Sequence, residues 1–327
     1  MKAPKFWNSN RNSIWPVVLS PLSFIYGFAS RVRFTGKRSK KVSVPVICIG
    51  NVVAGGAGKT PVAMAVAEYL KQIGWKVHFL SRGYGGSLAG PERVVLDVHT
   101  ADQVGDEPLL LATVAPTWIS RDRVIGAEAA IEAGAEIIVM DDGMQNPLLE
   151  KDITVLVLDG GYGLGNGWLM PSGPLRERFS EALKKADFAV WVEGDLEQPL
   201  DVGTLPLFKA RVVPHELQSE LVGEKVIAFA GIGRPEKFFR SLRQAGAELV
   251  ETVEFADHHA YSQEDIMNLV ERAALHNAAL VTTRKDYVRL SPEARMMTTV
   301  FDIDLVFESP ALLQKLLLEK LGSREHA

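Results

Sequence analysis

From residue 44 onward, short continuous apolar runs alternate with longer stretches in which apolar residues recur every three or four positions. The runs 44–49, 76–80, 93–96, 116–119, 136–141, 153–158 and 187–192 predict strands, and the stretches 61–72, 107–115, 123–133 and 177–185 predict helices. The strands are apolar at successive positions rather than at every second one, which is the mark of burial on both faces. Strands alternating with helices predict a parallel sheet covered by helices. The pattern breaks at 194–206, where Gly194, Asp195, Pro199, Asp201, Gly203 and Pro206 mark a linker. Beyond it, strands at 207–213, 225–230, 248–253, 278–282 and 299–303, with helices at 235–245, 263–275 and 309–321, predict a second, smaller α/β domain. The expected division is 1–41, 42–205 and 206–327.

The first of these segments has its own pattern. Between Arg11 and Arg31 lie 19 uncharged residues, among them Ile14, Trp15, Val17, Val18, Leu19, Leu22, Phe24, Ile25, Tyr26 and Phe28. As one helix they reach about 28 Å, close to the hydrocarbon thickness of a bilayer. Pro16, Pro21 and several serines interrupt that surface. Charge sharpens the picture. The 327-residue chain has a net charge of −4, yet nine of its 36 Lys/Arg and none of its 40 Asp/Glu fall in residues 1–41. A basic, aromatic, apolar helix on an acidic body predicts contact with an anionic lipid surface, with Trp15 and Tyr26 at headgroup level. Basic residues on both flanks give no orientation, so spanning the bilayer and lying on it both stay open. Nucleic acid is disfavoured, because the basic residues flank aliphatic ones instead of interleaving with stacking aromatics. No obligate protein partner is expected. The single cysteine, Cys48, excludes an internal disulfide and suits a reducing compartment, and no Cys/His spacing matches a zinc site.

The chemistry centres on Gly50-Asn51-Val52-Val53-Ala54-Gly55-Gly56-Ala57-Gly58-Lys59-Thr60, between a predicted strand and a predicted helix that opens with Pro61. Strand, glycine loop ending in Gly-Lys-Thr, then helix is the P-loop arrangement. Glycines let successive backbone N–H groups converge on a phosphate, and the helix N-terminus adds its dipole. Lys59 is expected to reach the β- and γ-phosphates and Thr60 to bind Mg²⁺. The strict motif has glycine where this chain has Val53, so Gly55 and Gly56 are expected to supply the turn. The buried run ending in Asp141-Asp142 has the form of the acidic strand end that holds Mg²⁺ beside a P-loop, and either carboxylate could be the ligand.

Other clusters are weaker alone. Residues 159–178 form a glycine-rich loop, long enough to suggest function, with Arg176 placed to steady a phosphate or simply to pair with an acid. Asp106 and Glu107 open a predicted helix, and His258 and His259 lie in a loop of the second domain. Gly231-Ile232-Gly233 reads as a strand-to-helix turn. Thr283-Arg284-Lys285-Asp286 has its lysine one place too late for the guanine-reading motif, which argues against a GTPase.

Taken together, these motifs resemble the tetraacyldisaccharide 4′-kinase (lipid A 4′-kinase) family. The resemblance runs through the Gly50 to Pro61 loop, Leu80-Ser81-Arg82-Gly83-Tyr84-Gly85, Gly105-Asp106-Glu107-Pro108, Asp141-Asp142-Gly143-Met144-Gln145-Asn146, Pro171-Ser172-Gly173-Pro174-Leu175-Arg176-Glu177, Phe255-Ala256-Asp257-His258 and Thr282-Thr283-Arg284-Lys285-Asp286, in the family's order across about 44–290. It implies a kinase at the cytoplasmic face of the inner membrane of Gram-negative bacteria. That kinase moves the γ-phosphate of ATP to the 4′-hydroxyl of a tetraacylated glucosamine disaccharide 1-phosphate, giving lipid IVA. By motif, Lys59 and Thr60 match the phosphate and Mg²⁺ positions, with Asn51, Gly55, Gly56, Ala57 and Gly58 completing the nucleotide loop. Asp141 and Asp142 match the acidic pair and Gln145 the glutamine beside it. Asp106, assisted by His258, matches the catalytic base, and Arg176 and Glu177 match the Leu-Arg-Glu site. Arg82, Tyr84 and Arg123 fall near substrate or phosphates. A sugar hydroxyl is a weak nucleophile, so a carboxylate that takes its proton is useful, and His258 is expected to reach Asp106 only on closure of the second domain. Two alternatives keep the P-loop: a membrane-recruited ATPase acting as a switch, and a soluble small-metabolite kinase.

Overall fold

A computed structural model describes residues 4–8, 13–32, 38–96, 98–215 and 220–322. The basic positions at 2, 11, 33 and 37 lie outside the described residues. In chain order the strands are β1 (Val46–Gly50), β2 (Val77–Ser81), β3 (Glu92–Arg93), β4 (Thr117–Ile119), β5 (Ile137–Asp141), β6 (Ile153–Asp159), β7 (Phe188–Val192), β8 (Leu207–Pro214), β9 (Lys225–Ala230), β10 (Glu248–Glu254), β11 (Ala279–Thr283), β12 (Thr299–Phe301) and β13 (Ile303–Phe307). The helices are α1 (Trp15–Val32), α2 (Lys59–Gln72), α3 (Ala101–Val104), α4 (Asp106–Ala112), α5 (Arg123–Glu132), α6 (Phe179–Lys185), α7 (Pro235–Gln244), α8 (Gln263–His276), α9 (Arg284–Tyr287), α10 (Pro292–Met296) and α11 (Pro310–Leu321).

The large sheet runs β13-β8-β7-β6-β1-β5-β2-β4-β3. Its interior is parallel, as the apolar runs predict, and its two edge pairs, β3 with β4 and β13 with β8, are antiparallel. Successive residues of β1 go to opposite faces. Ile47 and Ile49 join α2 and α11 in one core, whereas Val46 and Cys48 join α5 and α6 in the other. Each fully buried aliphatic side chain is worth about 1.5–3 kcal/mol of transfer free energy. A second sheet, β10-β9-β11-β12, is parallel throughout and carries its own cores beneath α7 and α8.

The expected boundary at 205/206 does not separate the two sheets. β8 lies beyond it yet pairs with β7, and the single strand expected at 299–303 is two strands in different sheets. Asp302 stands at the crossing, where its carboxylate takes Arg284 Nε at 2.6 Å and its carbonyl accepts from His215 N at 3.1 Å. β13 then returns to the large sheet, and Leu313 and Leu317 of α11 enter its core. Side-chain periodicity reports burial, and both sheets bury their strands alike, so no local signal marks the crossing.

α1 is docked rather than embedded in the protein. Ser23 donates to Leu169 O at 2.9 Å and lies 2.7 Å from Ser172 Oγ, and a Cβ on Gly27 would sit 3.0 Å from Leu169 Cδ1. Val17, Val18, Leu22, Phe24, Ile25 and Phe28 are left exposed. Among the described residues no helix is long and apolar enough to cross a membrane.

Candidate active site

β1, β5 and β2 lie side by side and end at one edge, so the loops that follow them converge there. The first is the glycine loop. Gly55 and Gly58 take positive φ (114° and 78°), conformations that cost a side chain free energy, and Gly58 leads directly into α2. Val53 has a different role from the glycine of the strict motif. It is buried and forms a bridge with Leu175, flanked by Ala54 N donating to Pro174 O at 2.8 Å and Arg176 N to Val52 O at 2.7 Å. The end of the 159–178 loop is thus stapled to the P-loop, which brings Arg176 to it.

Around this staple the expected residues form one network. Lys59 Nζ lies 3.3 Å from Asn51 Oδ1 and 3.6 Å from Asp142 Oδ1. Arg176 Nη1 reaches both oxygens of Asp142, at 2.9 and 3.0 Å. Gln145 Nε2 donates to Asn51 O at 2.8 Å and Glu177 Oε1 at 3.0 Å, and Lys185 pairs with the other Glu177 oxygen. Asp142 takes a positive φ of 55°, which an aspartate tolerates better than most residues and which turns its carboxylate toward the two cations.

The acidic pair is electrostatically divided. Burial opposes the ionisation of Asp142, but Lys59 and Arg176 outweigh it and hold the carboxyl below its ordinary value. Asp141 has no such partners. Burial pushes it up to about 7, against the pull of Lys59 and with the help of Asp142's negative charge. Thr60 Oγ1 donates to its Oδ2 at 2.9 Å, while Oδ1 is buried without a hydrogen-bond partner. An unpartnered buried carboxylate oxygen beside a hydroxyl is a donor set that suits a hard divalent cation. Among the described residues no cluster of three or more His, Cys, Asp or Glu could hold a metal alone, so further ligands have to come from water or a bound phosphate.

Arg123 opens α5, buried, with Nη1 donating to Ser120 O at 2.6 Å and Nε unpartnered. Burial, then the neighbouring charge of Arg82, lowers its pKa to about 10 despite the attraction of Asp142. The two guanidinium groups thus repel each other, while the Asp142 carboxylate attracts Arg123. Tyr84 is 73% exposed on the adjoining turn, whose backbone abuts Gly105: a Cβ there would meet Tyr84 O at 2.4 Å.

Asp106 is buried where α4 meets the small sheet. His258 Nδ1 lies 2.5 Å from its Oδ2, so the pair expected only on closure is already joined. His258 achieves this with a positive φ of 61°. His259 points elsewhere, stacked on Phe255 and 3.1 Å from Asp265 Oδ2, which separates the two histidines. The sequence reading missed the third member. Arg289, buried, grips Asp106 through Nε at 2.8 Å and Nη2 at 2.6 Å. Its Nη1 bonds Gly231 O and Asp286 Oδ1, both at 2.9 Å, and Asp286 also accepts from Tyr261 at 2.8 Å and Thr283 at 2.7 Å. Burial resists ionisation of Asp106, yet hydrogen bonds from His258 and Arg289 and the charge of Arg289 hold it well below the carboxylate range. Thr283 and Asp286, spaced as an N-cap and its third helical residue, were the available signal for this turn. A second contact between the sheets, Asp159 with Arg234 (2.8 Å) and Lys237 (3.3 Å), lies at the end of β6 and had no local signature.

Comparison with known proteins agrees with this architecture. The family model described as LpxK, tetraacyldisaccharide-1-P 4′-kinase, matches residues 15–322. A tetraacyldisaccharide 4′-kinase of Paramagnetospirillum magneticum is 47% identical over 327 residues, covering 99% of this chain and all of that protein. One from Rhodospirillum centenum is 45% identical over 331 residues, 99% of this chain and 98% of that protein. The crystal structure of the "apo" form of LpxK from Aquifex aeolicus in complex with ATP superposes with a TM-score of 0.76 at 25% identity, covering 94% of this chain and 99% of that one. A family match over residues 15–322, full-length relatives at 45–47% identity and a solved structure of the same fold leave one assignment: the chain belongs to the tetraacyldisaccharide-1-P 4′-kinase family.

Proposed function

We propose that the chain is a tetraacyldisaccharide 4′-kinase of lipid A biosynthesis, which transfers the γ-phosphate of ATP to the 4′-hydroxyl of a tetraacylated glucosamine disaccharide 1-phosphate. The family match and the relatives' names carry the activity. The observation that best supports the site is the convergence of Lys59, Thr60, Asp141, Asp142 and Arg176 at one sheet edge. Lys59 and the loop N–H groups bind the nucleotide phosphates. Lys59 and Arg176, now neutralised by Asp142, turn to the oxygens of the transferring group, where negative charge is concentrated. The 4′-hydroxyl gives its proton to the His258–Asp106 pair, a bond forms from its oxygen to the γ-phosphorus, and the bond to ADP breaks. Arg289 keeps Asp106 ionised and still. Thr60 and Asp141 would hold Mg²⁺, which would supply neutralisation of phosphate charge. Arg82 and Arg123 add attraction for anions at the mouth. Tyr84, exposed beside Asp106, lies where a sugar would dock.

α1 lies in the cytoplasmic surface of the inner membrane, with Trp15, Val18 and Ile25 among lipid headgroups. Its inner side faces the P-loop domain, so the acyl chains need not leave the bilayer fully.

Transfer of label from γ-labelled ATP to tetraacyldisaccharide 1-phosphate, in detergent micelles with Mg²⁺, tests the reading. Wild type is expected to label the lipid and Asp106→Ala to lose at least ~10²-fold in rate. ATP hydrolysis without labelled lipid would overturn the kinase and favour a membrane-recruited ATPase. Labelled lipid with Asp106→Ala unaffected would keep the kinase and remove the base.

A further inference from the structure

A cleft of about 330 Å³ opens between α1 and the loops beyond β5 and β6. Its lining includes Arg176, the residue that grips Asp142 beside Lys59. Phe24 and Phe28 of α1 and Leu169 give it an apolar portion. The remainder carries the cations Lys151, Arg178 and Lys185 together with the carboxylates Glu177 and Glu181. A second hollow of about 320 Å³ shares Met144, Pro147, Lys151 and Lys185 with it, so the two meet at the lysine pair.

Lys151 stands apart from the other cations. It is partly buried, its ammonium donates to Asn146 O, and among the described residues it pairs with no carboxylate. Burial, then the like charge of Lys185, lowers its pKa from the ordinary lysine value. Glu177 attracts it across space, but one Glu177 oxygen takes Gln145 and the other takes Lys185. A half-buried ammonium without its own counter-ion is costly unless an anion arrives. Arg82 and Arg123 also repel each other, but Arg123 is drawn to Asp142, at the reacting end.

We propose that Lys151, with Lys185 beside it, binds the phosphate monoester at the 1-position of the disaccharide, the end remote from the 4′-hydroxyl. This rests on the kinase reading above. The cleft then accounts for an amphiphile from end to end: reacting hydroxyl toward Arg176, acyl chains along Phe24 and Phe28, and phosphate at the lysine corner. Lys151 lies outside the phosphoryl-transfer network, so its contribution is to substrate binding.

The test compares two lipids in the same micelles, tetraacyldisaccharide 1-phosphate and its counterpart lacking the 1-phosphate, each with ATP and Mg²⁺. Wild type is expected to prefer the 1-phosphate form in kcat/KM by at least ~10-fold, the size of one charge-assisted contact. Lys151→Met is expected to remove most of that preference through KM, leaving turnover of the dephosphorylated lipid within about threefold of wild type. Lys151→Arg is expected to keep the preference. Equal losses of Lys151→Met on both lipids would mean a structural lysine and overturn the proposal, as would a wild type indifferent to the 1-phosphate. A wild type that phosphorylates neither lipid would overturn the kinase reading itself. Lys151→Gln, which retains a donor for the Asn146 carbonyl, gives the same comparison if the methionine variant does not fold.

Discussion

Two adjacent carboxylates, Asp141 and Asp142, meet opposite environments, and the difference is one of partners. Asp142 has Lys59 and Arg176; Asp141 has one hydroxyl and burial, which raises its pKa to about 7. A carboxyl whose folded pKa exceeds its unfolded value of roughly 3.9 binds its proton more tightly when folded. Its stabilising contribution is therefore complete below about pH 4 and is lost as pH rises through about 7. Asp141→Asn is thus expected to raise the melting temperature of the ligand-free protein at pH 8, by roughly 2–4 °C per kcal/mol relieved, and by less at pH 5. The same substitution is expected to abolish the Mg²⁺-dependent part of the stabilisation by ATP. Scanning calorimetry at both pH values checks this, and a lower melting temperature at pH 8 would show that the ionised carboxylate is not a burden.

At the scale of elements, the 159–178 loop serves two partners. Its end is stapled to the P-loop through Val53 and Leu175, and its middle receives the N-terminal segment through Trp7, Ser23 and Ser172. The loop therefore couples α1 to the position of Arg176. Among the described residues, the outward face of α1 has no such partners. Val18 and Ile25, two turns apart, are 54% and 61% exposed. The double variant Val18→Asp/Ile25→Asp is expected to lose at least ~10-fold in co-sedimentation with anionic vesicles, since each charge opposes interfacial insertion. Its melting temperature and ATP-induced thermal shift are expected to match wild type, because neither residue supports the fold. Undiminished vesicle binding would remove α1 as the anchor.

At the scale of the molecule, the small sheet is fastened to the large one by buried charge. The side chains of Arg289 and Asp106 are each at most 6% exposed, and that of Asp286 is fully buried. Removing one partner of such a set leaves uncompensated charge in the interior. Arg289→Met is expected to cost about 3–5 kcal/mol in urea denaturation, and adding Asp106→Asn to recover part of that loss. Additive costs would mean that the clasp carries little coupling. The short strand β13 and helix α11 secure the same arrangement covalently, by returning the chain to the first core.

Much of this was legible along the chain. The period of apolar residues reflects which faces are buried, so β1, β2, β5, β6 and β7 and helices α2, α5 and α8 stand within a few residues of their expected positions. The P-loop was legible because phosphate binding needs glycine, lysine and threonine in sequence. Arg289 was not, since an arginine becomes a clasp only when an aspartate distant in sequence is buried against it, and no local pattern encodes that meeting. The role of Val53 and the division of Asp141 from Asp142 followed the same rule. Residue type and spacing determined which groups were available. The tertiary structure alone decided which charges were paired, because pairing and burial depend on distances between segments that the chain brings together only when folded.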